Sequence, residues 1–403
     1  SGKMKYIVVL GDGMADRPID ALGGKTPLAA AETPAMDSLA RKSEIGMVKT
    51  VPEGMSPGSD TANLSVLGYD PKVYYSGRSP LEALNIGVRM EQGDIAIRAN
   101  LVTLSEEEET YEEKHILDHS ADEISTEEAE VLLQAVKKEL ENGMFQFYTG
   151  TSYRHCLIWK KGMVVPLTPP HDIRGKKIGE YLTDEALLLA MQKKSYEILK
   201  NHPVNLERKK KGLNPANSLW FWGAGTKPAL SSFEEKFHKK GVMISAVDLL
   251  KGIAVGTEMG NIAVEGANGG LHTNYEGKAA AAVSALLKDG YDFAYIHVEA
   301  PDEMGHQGSL EKKLQAIEYL DTRVIQRVKD SMEESGEAYR MLILPDHPTP
   351  VSVKTHTADP VPYLLYDSRK QEERDCVYNE AEALRQGNLI QEGYRLIEKL
   401  FEE

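Results

Sequence analysis

Short apolar runs alternate along the chain with amphipathic stretches, and the two periods separate strands from helices. Residues 6–10 (YIVVL) form a β-branched run that stops at Gly11-Asp12-Gly13. Runs of this kind read as strands buried on both faces. Residues 94–104, 242–247, 293–298 (FAYIHV) and 341–344 (MLIL) carry the same signature. Helical patterns lie between them. Residues 33–41 open on Thr33 as N-cap with Pro34 at the first helical position, a favoured start. Residues 61–67 follow the tight turn Ser56-Pro57-Gly58-Ser59-Asp60, and further helical stretches begin at 249 and span 275–287 and 310–332. Strands alternating with helices predict an α/β fold, a mostly parallel sheet with helices on both faces.

The texture changes after residue 104, at an acidic run over 106–109. Residues 126–141 and 184–201 have the pattern of long helices, and 153–159 that of a strand. Lys209-Lys210-Lys211-Gly212 is a charge run of the kind that faces solvent or links domains. Residues 105–215 are therefore expected to form a smaller α+β domain, inserted into a core built from 1–104 and 216–403.

Composition narrows the function. The chain has 403 residues, 41% apolar and 27% charged, enough for a large core without disulfides. It carries 47 basic and 62 acidic side chains, a net charge of −15. That balance argues against general binding to nucleic acid or anionic membrane, since phosphate backbones repel it. Any phosphorylated substrate must be held by a local group of cations. Cys156 and Cys376 are too few for a disulfide framework or a cysteine zinc site. No apolar run reaches the length of a membrane span. Ser1 and Gly2, ahead of Met4, are expected to be a cloning remnant, and a cytoplasmic setting is the default expectation. Oligomeric state is not readable from the sequence.

Three predicted strands end in carboxylates. YIVVL leads to Asp12, FAYIHV to Asp302 and MLIL to Asp346. In open α/β sheets ligands bind beyond the carboxyl ends of the strands. Three carboxylates at one such edge repel each other and call for cations. His306 follows Asp302, His347 follows Asp346, and His356 lies a little further on. Asp12, Asp302, His306, Asp346, His347 and His356 make six oxygen and nitrogen donors, enough for two divalent metals. Any one of them alone reads as a turn or a helix cap; their placement after separate buried strands is what carries the metal reading. Ser59 starts a helix, where backbone N–H groups favour an anion, and is the candidate nucleophile. Capping the helix is its alternative role.

Gly11-Asp12-Gly13-Met14-Ala15-Asp16, Gly58-Ser59-Asp60-Thr61-Ala62, Pro301-Asp302 with Gly305-His306, Pro345-Asp346-His347 and Thr355-His356-Thr357 occur in one order. This set resembles the cofactor-independent phosphoglycerate mutases, in the archaeal-type branch of the alkaline phosphatase superfamily. Asp248-Leu249-Leu250-Lys251-Gly252 favours that branch. The resemblance implies one metal on Asp12, Ser59, Asp346 and His347, and a second on Asp302, His306 and His356. Manganese is the first expectation, with magnesium, cobalt or zinc as alternatives, and no 2,3-bisphosphoglycerate is needed. The implied reaction of glycolysis and gluconeogenesis converts 3-phosphoglycerate to 2-phosphoglycerate through a phosphoserine on Ser59. The inserted domain is expected to exclude water from that intermediate.

The implied substrate, a small phosphorylated hydroxy acid, also carries a carboxylate. Arg98 and Arg154 are candidates to bind it bidentately. His155, His171 and Asp172 are candidates to hold glycerate or move its protons, and Lys227 and Lys251 to touch phosphate from the core side. The Trp220-Phe221-Trp222 cluster is expected to be core packing. A phosphatase, a phosphopentomutase or another phosphomutase would use the same metal residues. A metal-binding protein without catalysis is the alternative outside enzymes. A dinucleotide fold is disfavoured because Gly11-Asp12-Gly13 lacks the spaced third glycine.

Overall fold

The structure, a computed structural model, describes residues 3–402; Ser1 and Gly2 lie outside the described residues. The chain divides into two compact units, one running to Tyr75 and resuming at Leu230, the other Ser76–Ala229. No helix among the described residues is long and apolar enough to cross a membrane.

The first unit is built on an eight-stranded sheet ordered Leu389–Ile390, Ser43–Val48, Val361–Asp367, Tyr339–Leu344, Lys5–Gly11, Phe293–Val298, Gly241–Ile244, Gly260–Asn261. Val361–Asp367 alone runs against the others. The Lys5–Gly11 strand is buried throughout and pairs in parallel with strands on both sides. Its alternate residues Ile7 and Val9 pack with Met36, Ala282 and Val324 on one face. On the opposite face Tyr6 and Phe293 meet Phe401 edge to face. A sheet covered on both faces has no polar side, which is why its strands read as unbroken apolar runs.

Two local departures from expectation have visible causes. Thr33 makes no cap bond from its side chain. Asp321 takes that role, accepting from the N–H groups of Ala35 (3.0 Å) and Met36 (2.7 Å). The long helix expected over 310–332 is three segments, with a π-helical stretch at Leu320–Ile325 that contains Asp321. An extra residue in a helical turn redirects a side chain, here the buried Asp321.

The second unit holds a smaller sheet in which Ile95–Leu104 pairs antiparallel with Arg154–Trp159 and with Ser218–Thr226. The helices Thr126–Leu140 and Ala186–Leu199 contribute Leu132, Leu133 and Leu199 to one apolar face of it. Both Ile95–Leu104 and Ser218–Thr226 were expected in the core. Ile95–Leu104 forms the centre of this sheet instead and Ser218–Thr226 pairs with it alone, so the unit boundaries lie outside 105 and 215.

Candidate active site

The three strands that end in carboxylates are adjacent and parallel, so Asp12, Asp302 and Asp346 arrive at one sheet edge. Ser59 is the first residue of the helix Ser59–Val66, and Asp302 and His306 are one turn apart on Ala300–His306. Residues four apart share a helix face. His356 arrives on the loop before Val361–Asp367.

The side chains form two groups. His347 Nε2 lies 3.3 Å from Asp12 Oδ1, 3.3 Å from Asp346 Oδ2 and 3.2 Å from Ser59 Oγ. Asp302 Oδ1 lies 3.1 Å from His356 Nε2, and Asp302 Oδ2 lies 3.3 Å from His306 Nε2. Ring stacking of His347 on His356, centroids 3.7 Å apart, joins the groups.

Hydrogen bonds set the imidazole tautomers. The Nδ1 atoms of His306, His347 and His356 face the carbonyl oxygens of Lys354 (3.0 Å), Pro348 (3.1 Å) and Pro57 (2.8 Å). A carbonyl only accepts, so each Nδ1 donates and each Nε2 keeps a lone pair. His306 Nε2 and His356 Nε2 then face each other at 3.0 Å. Two lone pairs at that distance need a cation or proton beside them. Asp12 Oδ1 is buried without a hydrogen-bond partner. The donor set therefore fits divalent cations, with imidazoles oriented as they are at metal sites.

Electrostatics agree with the geometry. Burial, then the Asp302 charge, pushes Asp12 up to about 8. Burial and the Asp12 charge push Asp346 up to about 7. His356 is raised to about 9, its burial being outweighed by Asp302. Carboxylates with pKa values this high are held against their preference.

Asp346 is the most constrained member. Its Oδ1 accepts from the N–H groups of Gly13 (3.0 Å) and His347 (2.9 Å), and its Oδ2 from Asn63 Nδ2 (3.0 Å). Asn63 also donates to the Ser59 carbonyl at 2.7 Å and accepts from the Tyr295 hydroxyl. One amide thus ties the serine helix to the Asp346 strand. Gly13 has φ +63°, and a Cβ there would lie 2.5 Å from Thr349 Oγ1 and 2.7 Å from Asp302 Oδ1. Thr349 in turn donates to Asp302 Oδ1 at 2.6 Å. Lys251 is half-buried on the helix Asp248–Gly256 of the same unit.

In the second unit, strand alternation separates the expected substrate residues. Arg98 pairs across the sheet with Cys156 and Asn100 with Arg154, whereas His155 pairs with Ala99 on the apolar face. His155 is buried, accepts from the Gly150 N–H through Nδ1, and is held down to about 4 by burial. It does not join the arginines. Arg98 is buried against Glu82 at 2.9 Å and stacks on Trp222 at 4.3 Å. Arg154 is exposed and stacks on Tyr153 at 4.3 Å. His171 lies edge-on to Trp222 at 5.2 Å and 3.5 Å from Asp172. Lys227, expected on the core side, follows Ser218–Thr226 in this unit and is exposed.

Sequence reasoning missed several residues here. Trp222 stacks on Arg98 where core packing was expected, while Trp220 and Phe221 are buried. His119 sits between Tyr153 and His171, ring centroids 5.8 and 6.2 Å away. Asn63 and His297 were also unread. His297 belongs with Asp12 and Asp346 in a group of ligand atoms within 4.8 Å of one another, and its signal was a histidine inside an apolar strand.

This sheet and its edge define a class: an α/β protein with carboxylates and imidazoles set for divalent metal beside a serine hydroxyl. Comparison with known proteins narrows it. The family model of 2,3-bisphosphoglycerate-independent phosphoglycerate mutase matches residues 40–205. A Methanosarcina barkeri protein named 2,3-bisphosphoglycerate-independent phosphoglycerate mutase is 50% identical over 391 residues, 96% of either chain. One from Geobacter sulfurreducens, named as a probable member, is 48% identical over 99% of this chain and 100% of its own. The solved cofactor-independent phosphoglycerate mutase of Thermoplasma acidophilum superposes with TM-score 0.63 at 27% identity, covering 98% of each chain. A Pyrococcus horikoshii protein gives 0.80 at 30% identity, over 99% of this chain and 97% of that one. The chain belongs to the 2,3-bisphosphoglycerate-independent phosphoglycerate mutase family, whose members are isomerases.

Proposed function

We propose that the chain interconverts 3-phosphoglycerate and 2-phosphoglycerate, a cytoplasmic step of glycolysis and gluconeogenesis, through a phosphoserine on Ser59. The observation that carries this reading is Ser59 Oγ, at a helix start, 3.2 Å from His347 Nε2 beside Asp12 and Asp346. Asp12, Ser59, Asp346 and His347 hold one divalent cation, and Asp302, His306 and His356 the second; manganese is the first candidate. When bound, the cations neutralise the crowded carboxylates and polarise the phosphoryl oxygens and the serine hydroxyl.

Ser59 Oγ attacks phosphorus, its bond to phosphorus forms as the bond to O3 of glycerate breaks, and the serine proton is accounted for on O3. The N–H groups opening the Ser59–Val66 helix stabilise the charge on the transferred group. Glycerate then presents O2, the O2–phosphorus bond forms, the serine ester breaks and Ser59 regains a proton. Such transfers depend on in-line positioning and charge neutralisation. Asn63 fixes the serine helix against Asp346 for that purpose. Lys251 contributes a phosphate contact from the first unit. We assign substrate binding to the Ser76–Ala229 unit, with Arg98 and Arg154 taking the carboxylate and His171 and Asp172 the hydroxyls.

The test uses metal-stripped protein resupplied with Mn²⁺ and given 3-phosphoglycerate without 2,3-bisphosphoglycerate. Formation of 2-phosphoglycerate that needs the metal and is abolished in Ser59→Ala is the expected result. Release of inorganic phosphate alone would make the protein a phosphatase.

A further inference from the structure

His297 is completely buried near the carboxyl end of an apolar strand, and nothing in the reaction described above uses it. A buried imidazole must find partners, because an unsatisfied polar group in the interior is costly. Its partners are specific. Nε2 lies 2.9 Å from Asp12 Oδ2, and Nδ1 lies 3.3 Å from Ser245 Oγ. Ser245 Oγ itself accepts from the Val247 N–H at 3.0 Å. The serine proton is therefore free to point at Nδ1, which places the imidazole proton on Nε2, facing Asp12.

The two oxygens of Asp12 are thereby distinguished. Oδ2 is held by His297, whereas Oδ1 is buried, lacks a hydrogen bond and lies 3.3 Å from His347 Nε2. The backbone fixes both residues. Leu10 and His297 are paired in parallel register, and the Asp12 N–H donates to the Val298 carbonyl at 2.9 Å. Lys278 Nζ donates to the His297 carbonyl at 3.1 Å, anchoring the strand end.

We propose that His297 is a positioning residue, and that the chain Val247 N–H, Ser245 hydroxyl, His297 Nε2–H orients Asp12 so that Oδ1 alone is offered to the cation. This rests on the two-cation reading of the centre. His297 also lies within ligand distance of Asp346 and Asp12. Its Nε2 cannot both donate to Asp12 and bind a metal, so the two roles exclude each other. Partners that orient a metal ligand change affinity by 10–100-fold when removed.

The test is a Co²⁺ titration of metal-stripped protein, followed by visible absorption and by competition with a chelator. Wild type, His297→Asn, His297→Leu and Ser245→Ala are compared, with folding checked by circular dichroism. The proposal expects wild type to bind two equivalents. His297→Leu should weaken one of them by roughly 10–100-fold and leave the other unchanged. His297→Asn keeps a donor and should recover much of the affinity with the wild-type absorption bands. Ser245→Ala should lose a few-fold, which keeps the test decisive if His297→Leu does not fold. Unchanged affinity in folded His297→Leu or in Ser245→Ala would overturn the proposal while leaving the metal centre intact. Altered bands in His297→Asn would make His297 a ligand and overturn it as well. A wild-type protein that binds no Co²⁺ would sink the two-cation reading together with this inference.

Discussion

Ser59 Oγ and His347 Nε2 meet at 3.2 Å although 288 residues separate them in the chain. Asn63 secures that meeting from inside the helix Ser59–Val66, by donating to the Ser59 carbonyl and to Asp346 Oδ2. Removing the amide leaves a buried carboxylate oxygen and the buried Tyr295 hydroxyl without this partner. Asn63→Leu is expected to cost about 2–4 kcal/mol of stability. Asn63→Asp should be worse in metal-free protein, because it sets a second carboxylate against Asp346. Chemical denaturation of both variants measures this, and an Asn63→Asp protein as stable as wild type would contradict it.

Metal-free protein should lose stability as pH rises from about 6.5 to about 8. Asp12 (about 8), Asp346 (about 7), Glu299 (about 7) and His356 (about 9) all have folded-state values above their unfolded ones. The folded state thus holds extra protons in this window. The stability they contribute is complete below the unfolded values and disappears as pH passes the folded ones. Each extra proton is worth roughly 1.4 kcal/mol per pH unit. His297 and His155, held near 4 by burial, act in the opposite sense but finish titrating by about 6.5, and Lys278, lowered to about 8 by burial, opposes the trend only from about pH 8 upward. Bound cations replace the protons, so added Mn²⁺ should flatten the trend. Thermal melts in chelator and in Mn²⁺ provide the check; a metal-free Tm that climbs across this range would contradict the account.

Gly13→Ala should reduce both stability and metal affinity. The position combines φ +63° with a Cβ site 2.5 Å from Thr349 Oγ1 and 2.8 Å from the Asp302 backbone. Backbone strain and overpacking together predict a loss of about 2–4 kcal/mol. Since Asp302 is the atom group displaced, Mn²⁺ uptake should fall with it. A folded Gly13→Ala protein with wild-type uptake would show that the loop yields more easily than its packing implies.

Arg98 and Arg154 should separate in their effects. Arg98 is buried against the half-buried Glu82, so Arg98→Ala leaves that carboxylate with Arg78 alone and should lower Tm as well as raise KM. Arg154 is exposed, so Arg154→Ala should raise KM with little change in Tm. His155→Gln, on the apolar face, should alter stability and leave KM near wild type. Steady-state kinetics beside melts resolve all three, and a KM effect at His155 alone would reverse the assignment.

The parts of this account that the sequence made legible share a physical origin. Parallel strands buried on both faces are continuous apolar runs, and Asp12, Asp302 and Asp346 stood out because each follows one. Ser43–Val48 and Val361–Asp367 were not read, since both depend on pairing with each other across more than 300 residues. Ile95–Leu104 looks like a core strand in sequence and residues 218–226 were assigned to the core without a strand, and only their mutual pairing places both in the second unit. His297 shows the limit most sharply. A histidine in an apolar run signals a buried partner, but Asp12, 285 residues away, is visible only in three dimensions.

The central claim is that Ser59 carries the phosphoryl group between O3 and O2 of glycerate. It is tested most directly by mixing Mn²⁺-loaded protein with 3-phosphoglycerate labelled at phosphorus, quenching in acid within one turnover, and mapping the labelled peptide. The account predicts label on the peptide containing Ser59, which an unlabelled chase moves into 2-phosphoglycerate, and none in Ser59→Ala. Continued turnover with no label on Ser59, or turnover retained by Ser59→Ala, would contradict it.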